Sequence, residues 1–101
     1  MKECDWKLLS SKKEELLNKL CENIIKEIEM GSKDTTKTFH QRYWYIYSLI
    51  RDRDRTIADI FNRWSRSQFD NIVIQMIREG LLDKTMNGFS EETKVRIQSF
   101  L

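Results

Sequence analysis

Apolar side chains recur at helical spacing through most of this chain of 101 residues. The clearest stretch is 56–82, TIADIFNRWSRSQFDNIVIQMIREGLL. Within it Phe69, Ile72, Val73, Met76 and Ile77 fall at i, i+3, i+4, i+7 and i+8, the spacing that buries one stripe of a helix. Ahead of them Ile57, Ile60 and Phe61 share a face, introduced by Thr56 and Asp59 as a helix start. The pattern lapses near Trp64. Ser65, with Gln68 three residues on, is a capping-box signature that restarts it. Gly80 suits the left-handed residue that ends a helix, with Leu81 and Leu82 folding back as apolar cover. The stretch predicts a short helix, a tight turn and a longer helix crossing at a steep angle, a helix-turn-helix.

The flanking segments are also helical in period. Residues 12–30 predict a helix opened by Ser11 and Glu14, with Leu16, Leu17, Leu20, Cys21, Ile24 and Ile28 as its stripe. Ile25 broadens that stripe, so it serves either the core or a second copy of the chain, a homodimer through residues 12–30. Gly31 is the expected stop and GSKDTTK a polar connector. Thr38 and Gln41 form a further capping box. Residues 39–51 follow, FHQRYWYIYSLIR, with Phe39, Tyr43, Ile46, Tyr47 and Ile50 on one helical face. Trp44, Tyr45 and Leu49 make the run apolar nearly all round, which also fits a buried strand. Its length and cap favour a helix, the first of a tri-helical bundle and the centre of the core. The RDRDR run at 51–55 reads as a solvated loop before a helix at Thr56. Asn87-Gly88 is a hairpin dipeptide, and Ser90 caps a last helix with Glu91 and Glu92 in its first turn and Val95, Ile97, Phe100 and Leu101 as apolar contacts. Residues 1–10 are expected to be loosely ordered, with Trp6, Leu8 and Leu9 docking on the core.

Composition narrows the class. No proline and three glycines argue for a mainly α chain, because β-rich folds need many turn residues. A formal charge of +2 permits nucleic acid without pressing for it. Cys4 and Cys21, with His40 the lone histidine, make neither a zinc pattern nor a disulfide framework. No Ser/His/Asp or Cys/His arrangement, phosphate-cradling glycine loop or metal cluster can be placed, so no enzyme, cofactor or metal is expected. With no long apolar run at the start or elsewhere, the expectation is a cytoplasmic protein with no membrane span.

The outward side of the second helix carries the candidate chemistry. Ser67, Asn71, Gln75 and Arg78 point away from the apolar stripe, with Arg66 and Gln68 at its N-terminal edge. Amides and guanidinium groups make the paired bonds that read adenine and guanine edges in a major groove. A polar outer face is equally what any soluble amphipathic helix needs. Arg55, Arg63 and Lys84 are the candidates for phosphate contact. Every lysine or arginine before residue 39 is lysine, and every one between 39 and 80 is arginine, whose rigid fork suits phosphate and guanine.

Helix, short helix, turn, longer helix, REGLL, a hairpin signal and FSEET opening a last helix together resemble the winged helix-turn-helix superfamily of regulators. The resemblance covers residues 39–101. It implies a helix-turn-helix tri-helical core with a minimal β-hairpin wing, plus N-terminal and C-terminal helices. By that resemblance residues 65–78 are the reading helix and residues 84–87 the wing, which is short and carries only Lys84. Residues 1–38 are then an N-terminal helix and connector available for dimerisation. The expected function is a small dimeric protein that binds double-stranded DNA through Arg66, Ser67, Gln68, Asn71 and Gln75. The alternative is a protein-interaction module, an adaptor or inhibitor, on the same fold.

Overall fold

Glu3 and Asp5 place negative charge in the first turn of a helix that starts almost at once. The computed structural model describes residues 1–101. Helix α1 spans Glu3–Ser11, α2 Lys13–Ser32, α3 Phe39–Phe61, α4 Phe69–Arg78 and α5 Glu91–Gln98, with a single 3-10 turn at Arg66–Gln68 before α4. Residues 3–10 are therefore helical rather than loose, and Leu9 is fully buried. Because the chain is already helical at Ser11, that residue cannot take the extended conformation of a cap. Its hydroxyl instead donates to the Leu8 carbonyl (2.7 Å), and α2 follows α1 across Lys12 without a side-chain cap.

Helix α2 runs past Gly31, which is not a stop. The Tyr45 ring of α3 lies against Gly31 so closely that a Cβ there would collide with it. The connector ends at Thr38, whose capping box forms as expected. The Gln41 N–H donates to Thr38 Oγ1 (3.1 Å), and the Thr38 N–H donates to Gln41 Oε1 (2.9 Å). Helix α3 then continues unbroken for 23 residues. RDRDR lies inside it, and Thr56 starts nothing. No glycine or proline interrupts residues 39–61, arginine is a good helix former, and Arg53 reaches across to Glu27 of α2 (3.2 Å).

The break near Trp64 is real. Trp64 stacks on Phe61 (5.7 Å between ring centres), lies 6.1 Å from Trp6 and donates to Ser10 Oγ (3.3 Å). The Ser65–Gln68 capping box does not form. Ser65 Oγ sits 3.2 Å from Ser67 Oγ, the next three residues wind as the 3-10 turn, and the α-helix opens only at Phe69. The helix expected over 65–78 is thus shorter, covering Phe69–Arg78. Its stripe of Phe69, Ile72, Val73 and Met76 is buried as expected. Gly80, at φ +73°, closes it with the paired bonds of a Schellman motif: Leu81 N–H to Met76 O (2.8 Å) and Gly80 N–H to Ile77 O (3.0 Å).

No strand exists, so the expected β-hairpin wing is absent. Asn87 and Gly88 do occupy the middle of a turn, closed by the Phe89 N–H on Met86 O (3.1 Å). Only Gly88 of the two has positive φ, +92°, so this is not the primed turn whose twist matches paired strands. Met86 and Phe89, on either side of the turn, are both drawn into the core. Two buried anchors three residues apart leave no extended arms to pair. Ser90 caps α5 by accepting from the Thr93 N–H (3.4 Å). Of the apolar contacts expected beyond it, Ile97 is buried, while Val95, Phe100 and Leu101 are exposed.

One buried cluster joins Leu9, Leu16, Leu20 and Ile24 to Ile60, Phe61, the α4 stripe, Leu81, Met86, Phe89 and Ile97. It occupies one end of the molecule. From the other end projects an arm, the C-terminal half of α2 packed antiparallel on the N-terminal half of α3, which draws the chain out to 51 × 23 × 21 Å. Residues 39–51 therefore do not form the core's centre. Phe39, Tyr43, Trp44, Tyr45, Tyr47 and Ile50 are exposed, because α2 is the one element beside them and covers a single side.

Candidate nucleic-acid interface

The end of α3, residues 62–68 and α4 follow one another as helix, break and helix, but the separate short helix expected from Thr56 does not exist: it is the last turns of the 23-residue α3, and the break includes the 3-10 turn. Burying Phe69, Ile72, Val73 and Met76 turns the opposite side of α4 outward. Ser67, Asn71 and Arg78 are exposed there, and Gln68, Ile74 and Gln75 are half-buried. Asn71 Nδ2 donates to Gln68 Oε1 (3.0 Å), which joins the two amides into one polar unit.

A shallow groove between α3 and α4 brings together Arg63, Gln68, Asn71 and Gln75, with Asp59 on its α3 wall. A second groove shares Asn71 and adds Arg66, Ser67, Asp70 and Arg96. Five of the predicted reading residues therefore do converge. Arg55 is exposed on α3 one turn before Asp59, and Lys84 lies on the loop after α4, where its carbonyl accepts from Gln98 Nε2 (3.0 Å). Neither lines these grooves.

Arg66 is already engaged. Its Nε and a terminal nitrogen donate to the two carboxylate oxygens of Glu3 (3.1 and 2.7 Å), and its guanidinium lies over Trp6, 5.6 Å from the ring centre. The fork-like pairing holds the Glu3 carboxyl below its ordinary range. Helix α1 thus lies against the 3-10 turn that leads into α4. Asp70 is tied to Arg96 in the same bidentate way (3.0 and 2.9 Å), which raises the guanidinium's already high pKa.

Beneath this surface a clasp fixes α1 to α5. Asp5, 1% exposed, accepts from the Ser90 N–H (2.8 Å) and from the Ser90 and Thr93 hydroxyls (2.7 Å each). Burial pushes its carboxyl up, but the bonds from the Ser90 hydroxyl, Thr93 and the Ser90 N–H outweigh it and bring the pKa below the ordinary aspartate value. Ser90 meanwhile caps α5, so one serine serves both joints.

The carboxylates Glu3, Asp59 and Asp70, and the placement of α1 beside Arg66, were missed from the sequence. The available signal was the acidic first turn followed by Leu8 and Leu9. No three His, Cys, Asp or Glu side chains gather where they could hold a metal, both cysteines are free thiols, and no helix is long and apolar enough to cross a membrane. Compared with family models, with curated proteins and with solved structures, the chain matches none.

Proposed function

We propose that the end of α3, the turn and α4 form a DNA-binding head, with α4 as the element that meets the major groove. The observation that carries this reading is the convergence of Arg63, Gln68, Asn71 and Gln75 on one open groove, beside the exposed Ser67 and Arg78. Ten residues of helix span about 15 Å, enough to lie across a major groove roughly 12 Å wide. Asn71 is the base-reading amide, held by Gln68; Arg63 and Arg55 contact phosphates. Arg66 joins them on exchanging Glu3 for a phosphate or a base, since an exposed ion pair holds a side chain only weakly.

Fluorescence anisotropy with mixed-sequence duplex DNA tests the reading. Binding at low salt should weaken linearly in log–log form as salt rises, and Arg63→Ala should reduce that slope by about 1. Asn71→Ala should leave the slope alone and relax selectivity at one base position by about 1–3 kcal/mol. No binding at low salt, or binding indifferent to salt, would overturn it. A second reading, a head that docks on a protein, is favoured by Ile74, half-buried between Asn71 and Arg78 on the outward side of α4. A partner that competes at that face and is lost on Ile74→Glu, with DNA binding absent, would establish it instead.

A further inference from the structure

The arm formed by α2 and α3 has one bare side. Arg53 reaches Glu27, Arg42 donates to the Ser32 carbonyl (3.1 Å), and Ile46 and Leu49 are half-buried between them, which marks the side of α3 turned to α2. Successive helical residues rotate by about 100°. Phe39, Tyr43, Tyr47 and Ile50 therefore lie about a quarter-turn further round from that line. On α2, Ile25 lies about a third of a turn beyond the line of the buried Leu20 and Ile24, in the same rotational sense. In an antiparallel pair, the same rotational sense from the line of contact leads to the same side of both helices. One face of the arm is thus aromatic and aliphatic on both helices, with Trp44 stacked on Tyr47 at its rim (5.6 Å).

These six side chains are 49–81% exposed. Scaled from the full area of aromatic and branched residues, they offer roughly 700 Å² of accessible surface. That exceeds the roughly 300–600 Å² of the largest apolar patch on a typical monomer. It approaches the ~800 Å² that each partner contributes to a standard interface. Phe39, Tyr43, Tyr47 and Ile50 are spaced by four, four and three residues, a recurrence that holds them on one side of the helix as a stripe against which another helix packs. The radius of gyration, 16.4 Å, against about 13 Å for a compact chain of this length, shows how far the arm stands off its own core.

We propose that this face is covered by the same face of a second copy, arm on arm, as a two-fold four-helix bundle. Two such faces offer at most roughly 1,400 Å² for burial, an upper bound that lies within the range of a stable dimer. The pairing leaves α4 and its grooves outside the interface, and it holds whether or not the head binds DNA.

Sedimentation equilibrium of the full chain, from low- to high-micromolar concentration, tests it. The wild type should sediment at twice the chain mass. The double variant Tyr43→Glu, Ile50→Glu should sediment as a monomer with unchanged helical circular dichroism, because both side chains are exposed in the single chain and each charge is duplicated by the two-fold. Ile25→Glu, on the other helix, is the second variant and should raise the dissociation constant at least tenfold. A monomeric wild type across the range would overturn the proposal. So would a dimer that both variants leave intact, since the contact would then lie elsewhere.

Discussion

Asp5 shows how much one side chain can organise in a small helical protein. A carboxylate removed from water survives as a charge only if its oxygens are met by donors. Here one backbone N–H and two hydroxyls meet them, all from the start of α5. Asp5→Ala removes the acceptor and strands those donors, which should cost about 3 kcal/mol in chemical unfolding. Asp5→Asn, which keeps the shape and loses the charge, should cost less. The carboxyl's folded pKa lies below its unfolded value. Its contribution is therefore complete above the unfolded carboxylate pKa, about 3.9, and disappears as pH falls through the folded value. Thermal melts of wild type and Asp5→Asn should accordingly differ at neutral pH and draw together in acid. A gap that persisted unchanged below both values would show that the clasp works by shape alone. Asp5 was not identifiable in advance, because its partners lie 85 and 88 positions along the chain.

Helix ends divide into two kinds, by whether the neighbouring backbone is free to comply. Thr38 follows a polar connector, so it could take the extended conformation at which its hydroxyl reaches Gln41. Ser11 and Thr56 carry the same signature but sit in chain that is already helical, and there the signature has nothing to cap. Gly80 and Gly31 divide likewise. Gly80 has left-handed φ with open space around it, whereas Gly31 lies within α2 where Tyr45 closes in. Gly80→Ala should therefore destabilise by about 1 kcal/mol through the backbone alone, visible as a lower denaturant midpoint at constant m-value. An unmoved midpoint would mean that the left-handed conformation at Gly80 costs alanine nothing. The wing was lost for a related reason. Asn87-Gly88 marked a turn correctly, but a turn becomes a hairpin only if its arms can extend, and Met86 and Phe89 are committed to the core.

The molecule as a whole has a packed end and a bare arm, and only 16 of its 101 residues are buried. A single chain gains little from an arm whose aromatic side faces water. If two arms pair, folding and association share free energy, and stability rises with protein concentration by mass action. The melting temperature should climb between low- and high-micromolar protein, and Tyr43→Glu with Ile50→Glu should flatten that climb. A melting temperature independent of concentration in the wild type would count against a paired arm. In a pair, each copy would carry one head; on the proposal that the head binds DNA, its site would consist of two copies of a half-site related by the dimer's symmetry.

What local chemistry dictates was legible. The aromatic run is a helix, the chain breaks near Trp64, the stripe of Phe69, Ile72, Val73 and Met76 faces inward, and Gly80 stops α4, because periodicity, caps and left-handed glycines act within a few residues of themselves. The destination of an apolar face is not local. Phe39, Tyr43, Tyr47 and Ile50 carry the pattern of a core as plainly as Ile72 and Met76 do. They stay exposed because α2 covers one side of α3 and no other element of the chain reaches the next. The same holds for Arg66, which α1 claims from 63 positions earlier in the chain. Periodicity records which residues prefer to leave water; the three-dimensional arrangement alone settles whether the chain itself supplies something to cover them.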